Sequence, residues 1–161
     1  MNVLFLDRDG IINVERGEYT YRKQDFSFTT NLIEFLLKFK ERGFRIIVIT
    51  NQGGIDKGLY AKSDVQILHS WMEKEFKSRG IELLEIYYCP HHDSIQNCLC
   101  RKPKSLLFEK CVARFGIDPT TSIMLGDNQR DIDAAAKIGI KGFLIESNPD
   151  WENVPTSEML T

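Results

Sequence analysis

Apolar runs of strand length alternate with amphipathic segments of helix length along the whole chain, and this alternation leaves few folds open. "NVLFLD" (2–7), "FRIIVIT" (44–50), "LLEIYY" (83–88), "SIMLGD" (122–127) and "KGFLIE" (141–146) read as strands. Their near-continuous apolar character suits a sheet covered on both faces. Between them, residues 31–42 carry Leu32, Phe35, Leu36 and Phe39 at helical spacing, with Gly43 as a stop signal. Residues 63–80 offer Ser63 as N-cap, apolar positions at 65, 68, 72 and 76, and a closing Gly80. Further helices are expected over 104–115 and 130–138. Repeated strand–helix units imply right-handed crossovers, hence a three-layer, Rossmann-like α/β domain with a mainly parallel five-stranded sheet. A chain of 161 residues holds one such domain, not two. We therefore expect a single domain over 1–161, with a weakly patterned tail over 149–161.

Sheets of this kind bind ligands beyond the carboxyl ends of their strands, near the point where strand order reverses. The polar clusters follow strand ends: Asp7 and Asp9, then Thr50 and Asn51, then a Cys/His segment, then Asp127. Four such ends together indicate one site. In "DRDG" (7–10), extended geometry puts Asp7 and Asp9 on one side while Arg8 points elsewhere. Two close carboxylates repel unless a cation neutralises them. With Asp127 they make an oxygen-rich set suited to Mg²⁺; the alternative is an acidic turn in which Gly10 supplies the bend. "TNQGG" (50–54) can cradle a phosphate with a hydroxyl and successive backbone N–H groups, or can simply cap a helix. "RKP" (101–103) sets two cations just before a helix, where a phosphate is favoured.

Cys89, His91, Cys98 and Cys100 form a C-x-H-x6-C-x-C pattern. Three thiolates and one imidazole close a tetrahedral set, as structural Zn²⁺ requires. Use of the thiols as nucleophiles or redox centres would need a base nearby, and none is placed there. His92 is adjacent and could replace His91 as ligand. Cys111, in "SLLFEKCVARFG", reads as a small buried hydrophobe. His69 lies mid-helix without an identifiable partner and reads as a partly exposed helix residue. A formal net charge of −2 argues against a nucleic-acid partner. "MNVLFLDRDG" lacks the basic region and long apolar run of a signal peptide, and no stretch approaches the roughly 20 apolar residues of a membrane span. The expectation is a cytoplasmic monomer, with no membrane or nucleic-acid partner.

In combination, "FLDRDGIIN", "IVITNQGGIDKG", "CRKP" and "IMLGDNQRDI" resemble, in order and placement, the four motifs of the haloacid dehalogenase-like phosphatases over about residues 2–146. "YYCPHH" followed by "CLCRKP" is similar to the zinc-loop branch that contains heptose 1,7-bisphosphate phosphatases and histidinol-phosphate phosphatases. The resemblance implies that Asp7 attacks phosphorus and forms an aspartyl-phosphate. It implies that Asp9 protonates the leaving oxygen, later deprotonates the attacking water, and gives its backbone carbonyl to Mg²⁺ beside the carboxylates of Asp7 and Asp127. Thr50 and Lys102 would hold the transferring phosphoryl group. Asp131 would orient Lys102 or a metal-bound water. Arg101 and Asn51 would lie near the substrate, with Gln52 and Asn128 as weaker candidates, and His91 rather than His92 would bind zinc.

Two positions depart from the family pattern: Ile11 stands where Thr is common, and the loop "HDSIQN" between the zinc histidine and the second cysteine pair is short. Residues 51–100 are filled by a loop, a helix, a strand and the Cys/His segment, which leaves no room for a cap domain. Specificity is then expected from "VERGEYTYRKQD" (14–25) and the Cys/His segment. The resemblance implies a small phosphorylated metabolite as substrate: first the heptose 1,7-bisphosphate of bacterial surface-glycan synthesis, alternatively histidinol phosphate. A non-catalytic zinc-stabilised module, or a 3′-phosphatase acting on nucleic-acid ends, would be the rivals. The module would be expected to lack one of Asp7, Asp9, Lys102 or Asp127, and all are present; the 3′-phosphatase is opposed by the charge balance and the Cys/His segment.

Overall fold

The computed structural model describes residues 1–161. Five strands are formed, β1 (Val3–Leu6), β2 (Arg45–Asn51), β3 (Leu83–Cys89), β4 (Ile123–Gly126) and β5 (Lys141–Leu144). Four helices connect them, α1 (Leu32–Glu41), α2 (Lys62–Ser78), α3 (Leu106–Phe115) and α4 (Gln129–Ala136). The sheet order is β3-β2-β1-β4-β5, and every pairing is parallel. The chain runs outward from β1 to β3, then returns across the sheet to β4 on the other side of β1. That reversal sets the carboxyl ends of β1, β2 and β4 side by side.

Alternation of side chains along β1 divides the core into two layers. Leu4 and Leu6 face α1 and α2 and pack with Phe35, Phe39, Leu68, Met72 and Phe76. Val3 and Phe5 face the opposite side and pack with Phe108, Cys111, Ala134 and Ala135 of α3 and α4. Cys111 is fully buried there, as a small apolar side chain would be. Gly43 and Gly80 end α1 and α2 in the left-handed region, which only glycine enters without strain. No helix is long and apolar enough to cross a membrane.

Three sequence expectations need correction. Ala61, not Ser63, occupies the N-cap of α2, where the Asp64 carboxylate accepts a bond from the Ala61 N–H at 2.8 Å. The tail after Asn148 is part of the core. Trp151, in a short 3-10 turn (Trp151–Asn153), is 1% exposed, packs at a tilt with its ring centroid 4.3 Å from that of Phe35, and donates from Nε1 to Thr29 Oγ1 at 2.9 Å. Met159 is buried in the same layer. One turn is too short to show periodicity, so this docking leaves no pattern in the sequence. His69, finally, is buried on the inner face of α2, where its Nε2 lies 3.1 Å from Arg8 Nη1.

Candidate active site

Asp7 leaves β1, Asp127 leaves β4, and Lys102 enters from the loop before α3. Lys102 Nζ lies 2.8 Å from Asp7 Oδ1, 2.7 Å from Asp131 Oδ1 and 2.7 Å from the Ile49 carbonyl, with its side chain 1% exposed. Asp131 is in the first turn of α4, where Oδ2 also accepts from Asn128 N–H at 3.1 Å. A side chain at Gly126 would meet Asp131 at 2.4 Å, so glycine there lets α4 start this close to the strand end. Gly10 is restricted twice, by φ of +86° and by Asp127 Oδ2, which would lie 2.1 Å from a Cβ.

Asp7, Asp127 and Asp131 each place one oxygen within 4.8 Å of the others. Three carboxylates around one ammonium leave an excess of negative charge. Burial pushes Asp7 up to about 7 against the pull of Lys102, and burial likewise raises Asp127 despite its bond from Ser147. Lys102 behaves oppositely: burial opposes its charge, but Asp7 and Asp131 outweigh it and hold the ammonium above its ordinary range. An all-oxygen donor set carrying surplus negative charge fits a hard divalent cation.

Asp9 does not join this cluster. Its carboxylate accepts from Arg8 Nη2 at 2.8 and 3.1 Å, from Asn13 Nδ2 at 3.0 Å and from Gln52 Nε2 at 3.0 Å. Burial would raise it, but the Arg8 guanidinium and these donors outweigh burial and keep Asp9 below the ordinary carboxylate range. The expectation that Arg8 points away from the aspartates is therefore corrected: the guanidinium turns back onto Asp9. Gln52 is also drawn inward, donating to Thr50 Oγ1 at 3.0 Å and accepting from Tyr60 O–H at 2.7 Å. It does not line the cavity that opens over Asp7. Arg8, Asn13, Tyr60 and His69 are the residues that sequence reasoning missed. Arg8 directly after an apolar strand was the available signal, since a buried guanidinium must find acceptors.

The cavity has a volume of about 550 Å³, and Tyr19 is its single hydrophobic lining residue. Asp7, Asp9, Thr50 and Lys102 are at its base with Asp127 and Asp131. Glu15, Glu18 and Tyr19 of the 14–25 segment form part of its wall, and Asn51, His92, Arg101, Asn128 and Arg130 complete its polar lining. Asn51 makes two hydrogen bonds to the backbone of Lys102: Oδ1 accepts from the amide at 3.0 Å and Nδ2 donates to the carbonyl at 3.2 Å. Arg101 Nη1 donates to the His91 carbonyl at 3.1 Å. Asn128 caps α4, accepting from Arg130 N–H at 3.1 Å. Glycine at 53 keeps the wall open, because a Cβ would lie 2.9 Å from the His92 ring and 3.0 Å from Arg101 Nη1.

Beside the cavity, Cys89, His91, Cys98 and Cys100 converge with all four ligand atoms within 4.8 Å. Cys89 Sγ is 3.7 Å from Cys98 Sγ and 3.0 Å from Cys100 Sγ, while His91 Nδ1 is 3.5 and 3.2 Å from Cys89 and Cys100. All the cysteines are free thiols. Tetrahedral zinc–sulfur bonds of about 2.3 Å would place sulfurs about 3.8 Å apart, and a closed set of one imidazole and three thiols fits that ion. His92 turns away, with Nδ1 2.7 Å from Ser94 Oγ and its backbone N–H bound to Asp56.

A family model described as "HAD-hyrolase-like" matches residues 99–150, which include Lys102, Asp127 and Asp131. A D-glycero-alpha-D-manno-heptose-1,7-bisphosphate 7-phosphatase of Photorhabdus laumondii is 38% identical over 98% of this chain and 87% of its own length. A D-glycero-beta-D-manno-heptose-1,7-bisphosphate 7-phosphatase of the same organism is 37% identical over 91% of this chain and 81% of its own. The chain belongs to the haloacid dehalogenase-like phosphatases. The fold of this phosphatase is also that of a D,D-heptose 1,7-bisphosphate phosphatase from B. bronchiseptica, solved with magnesium and phosphate. That structure aligns at a TM-score of 0.85 over 96% of this chain and 89% of its own, at 23% identity. The phosphatase thus has the five-stranded parallel sheet and the Cys/His loop after the third strand that its sequence implies.

Proposed function

We propose that this phosphatase removes the 7-phosphate of a D-glycero-D-manno-heptose 1,7-bisphosphate and leaves the 1-phosphate. The observation that carries this reading is a polar cavity with Asp7 and Lys102 at its base, in a chain 37–38% identical to two heptose bisphosphate 7-phosphatases. A sugar bisphosphate is hydroxyl-rich and anionic, and a wall with one hydrophobic residue suits it better than it would an apolar ligand.

Asp7 attacks phosphorus and the bond from phosphorus to the C7 oxygen breaks; Asp9, held below the ordinary carboxylate range by Arg8 in the free protein, takes up the proton of the incoming phosphate monoester and gives it to that oxygen. Water then attacks the aspartyl-phosphate while Asp9 takes the proton back, and inorganic phosphate leaves. Lys102 presents its charge to the phosphoryl oxygens, held in line by Asp131 and the Ile49 carbonyl. Gln52 donates to Thr50 Oγ1, and the threonine proton, which rests on the Asn51 carbonyl at 3.4 Å, can turn to a phosphoryl oxygen. Asp7 and Asp127, with the Asp9 carbonyl, would hold Mg²⁺, and Asp131 is already occupied by Lys102 and the α4 cap. When bound, Mg²⁺ supplies charge neutralisation and polarisation of the phosphoryl group. Cys89, His91, Cys98 and Cys100 would hold structural Zn²⁺, fixing the loop that leads into Arg101 and Lys102.

Steady-state kinetics with Mg²⁺ on both anomers of the bisphosphate and on histidinol phosphate test this reading. The bisphosphate is expected to lead in kcat/KM by about 10²-fold or more. Histidinol phosphate is the second reading because the loop 92–97 is short; its efficient turnover, with little on the bisphosphate, would replace the first.

A further inference from the structure

We propose that His69 is a positioning residue for Asp9, acting through Arg8. This rests on the reading of Asp9 as proton donor, and it concerns groups that lie behind the cavity, not in it. Arg8 is fully buried, and its Nε has no partner. Its orientation is therefore decided by three acceptors: His69 Nε2 at 3.1 Å from Nη1, and the Thr20 carbonyl at 2.6 Å and the Asp9 carboxylate at 2.8 Å from Nη2. Thr20 belongs to an irregular segment, whereas His69 is mid-way along a 17-residue helix. Val65 and Met72, one turn to either side of it, are fully buried, and its ring meets Tyr88 edge-on at 5.8 Å. Of the two supports behind Asp9, His69 is thus the one fixed by the core.

The chemistry explains why histidine serves there. A guanidinium only donates, so Nε2 must be the acceptor and the imidazole must carry its proton on Nδ1. Burial, aided by Arg8, pushes His69 down to about 3, which keeps the ring neutral at ordinary pH. A neutral acceptor holds Nη1 without competing for the positive charge that faces Asp9. A carboxylate in its place would draw that charge away. Without any acceptor, Nη1 would join Nε as a second unpaired buried donor, and the guanidinium would shift to seek a partner.

The test separates positioning from stability by the leaving group. A sugar or histidinol phosphate releases its alcohol as an alkoxide that needs Asp9's proton; p-nitrophenyl phosphate releases a stable phenolate that does not. The readout is the ratio of kcat/KM on the better alkyl substrate to kcat/KM on p-nitrophenyl phosphate, measured with Mg²⁺ alongside thermal melting. His69→Leu is expected to lower this ratio about tenfold, a fraction of what a general acid contributes. His69→Gln, whose amide oxygen can take the place of Nε2, is expected to restore it. His69→Asn, too short to reach Arg8, substitutes if the leucine variant does not fold. Asp9→Asn is the control and should lower the ratio further. An unchanged ratio in His69→Leu or His69→Asn, with a lowered one in Asp9→Asn, overturns the role of His69. Failure of His69→Gln to restore the ratio also overturns it. An unchanged ratio in Asp9→Asn overturns the reading of Asp9, and the proposal with it.

Discussion

The two clusters of ligating side chains in this molecule are built in opposite ways. Cys89, His91, Cys98 and Cys100 come from twelve consecutive residues, and their spacing alone brings them together. Asp7, Lys102, Asp127 and Asp131 come from three separate strand-end regions, and only the return of the chain across β1 makes them neighbours. The local cluster closes on itself, with no position left for a substrate. The assembled one carries surplus charge at the base of an open cavity. Closure suits a cross-link, and unbalanced charge suits chemistry. Removing a group should therefore damage catalysis in one cluster and architecture in the other.

The sharpest expected contrast is Asp7→Asn, which should lower kcat by about 10⁴-fold or more while the circular dichroism spectrum stays native. Retained activity would remove Asp7 from the role of nucleophile. In the other cluster, Cys100→Ser, or a chelator acting on the wild-type protein, should cost about 2–3 kcal/mol of stability, or about 4–10 °C in Tm. Activity should then fall mainly through KM, because the loop carries Arg101. Metal analysis that finds no zinc in gently purified protein would break this half of the comparison. Asn51 ties the two regions, since both its side-chain bonds go to the Lys102 backbone. Asn51→Ala should cost about 1–2 kcal/mol in melting experiments and a further loss of about tenfold in kcat/KM. A change in stability alone would mean that Lys102 is held well enough by Asp7 and Asp131.

The same contrast accounts for what the sequence could show. The Cys/His set is legible because its geometry is contained in its spacing, and the structure assembles His91, not His92, with the three cysteines. Asp7, Lys102 and Asp127 are legible at one remove, because strand ends can be ordered once the strands are recognised. The residues behind them are not. Gln52 has the composition of a phosphate loop but turns inward to Asp9, a contact decided by Tyr60 eight positions later. His69 meets Arg8 across 61 positions. Its own spacing held the clue, since it lies four residues after Val65 and three before Met72, on the apolar stripe of α2. Trp151 docks through a single turn, where periodicity has nothing to act on. Local spacing and strand ends are visible in one dimension; buried polar partners depend on which faces meet.

The smallest expected effect follows from the charge at the assembled centre. Burial raises Asp7 to about 7 from an ordinary value of 3.8, so the folded protein keeps this proton where the unfolded chain has released it. Folding then takes up a proton between about pH 4 and pH 7, and by linkage stability falls as pH rises through that window. Asp9 works the other way: its lowered value stabilises the fold above the ordinary carboxylate range and is lost only on strong acidification. In metal-free protein the Asp7 contribution should appear as a lower Tm at pH 8 than at pH 5. Asp7→Asn should remove that drop, and saturating Mg²⁺ should remove it in the wild type by favouring the ionised carboxylate. Cys100→Ser, carried through the same pH series, should keep the drop, because nothing in the Cys/His loop alters the charge around Asp7. A pH slope that survives in Asp7→Asn would place the surplus charge on Asp127 instead, the other carboxylate that burial raises.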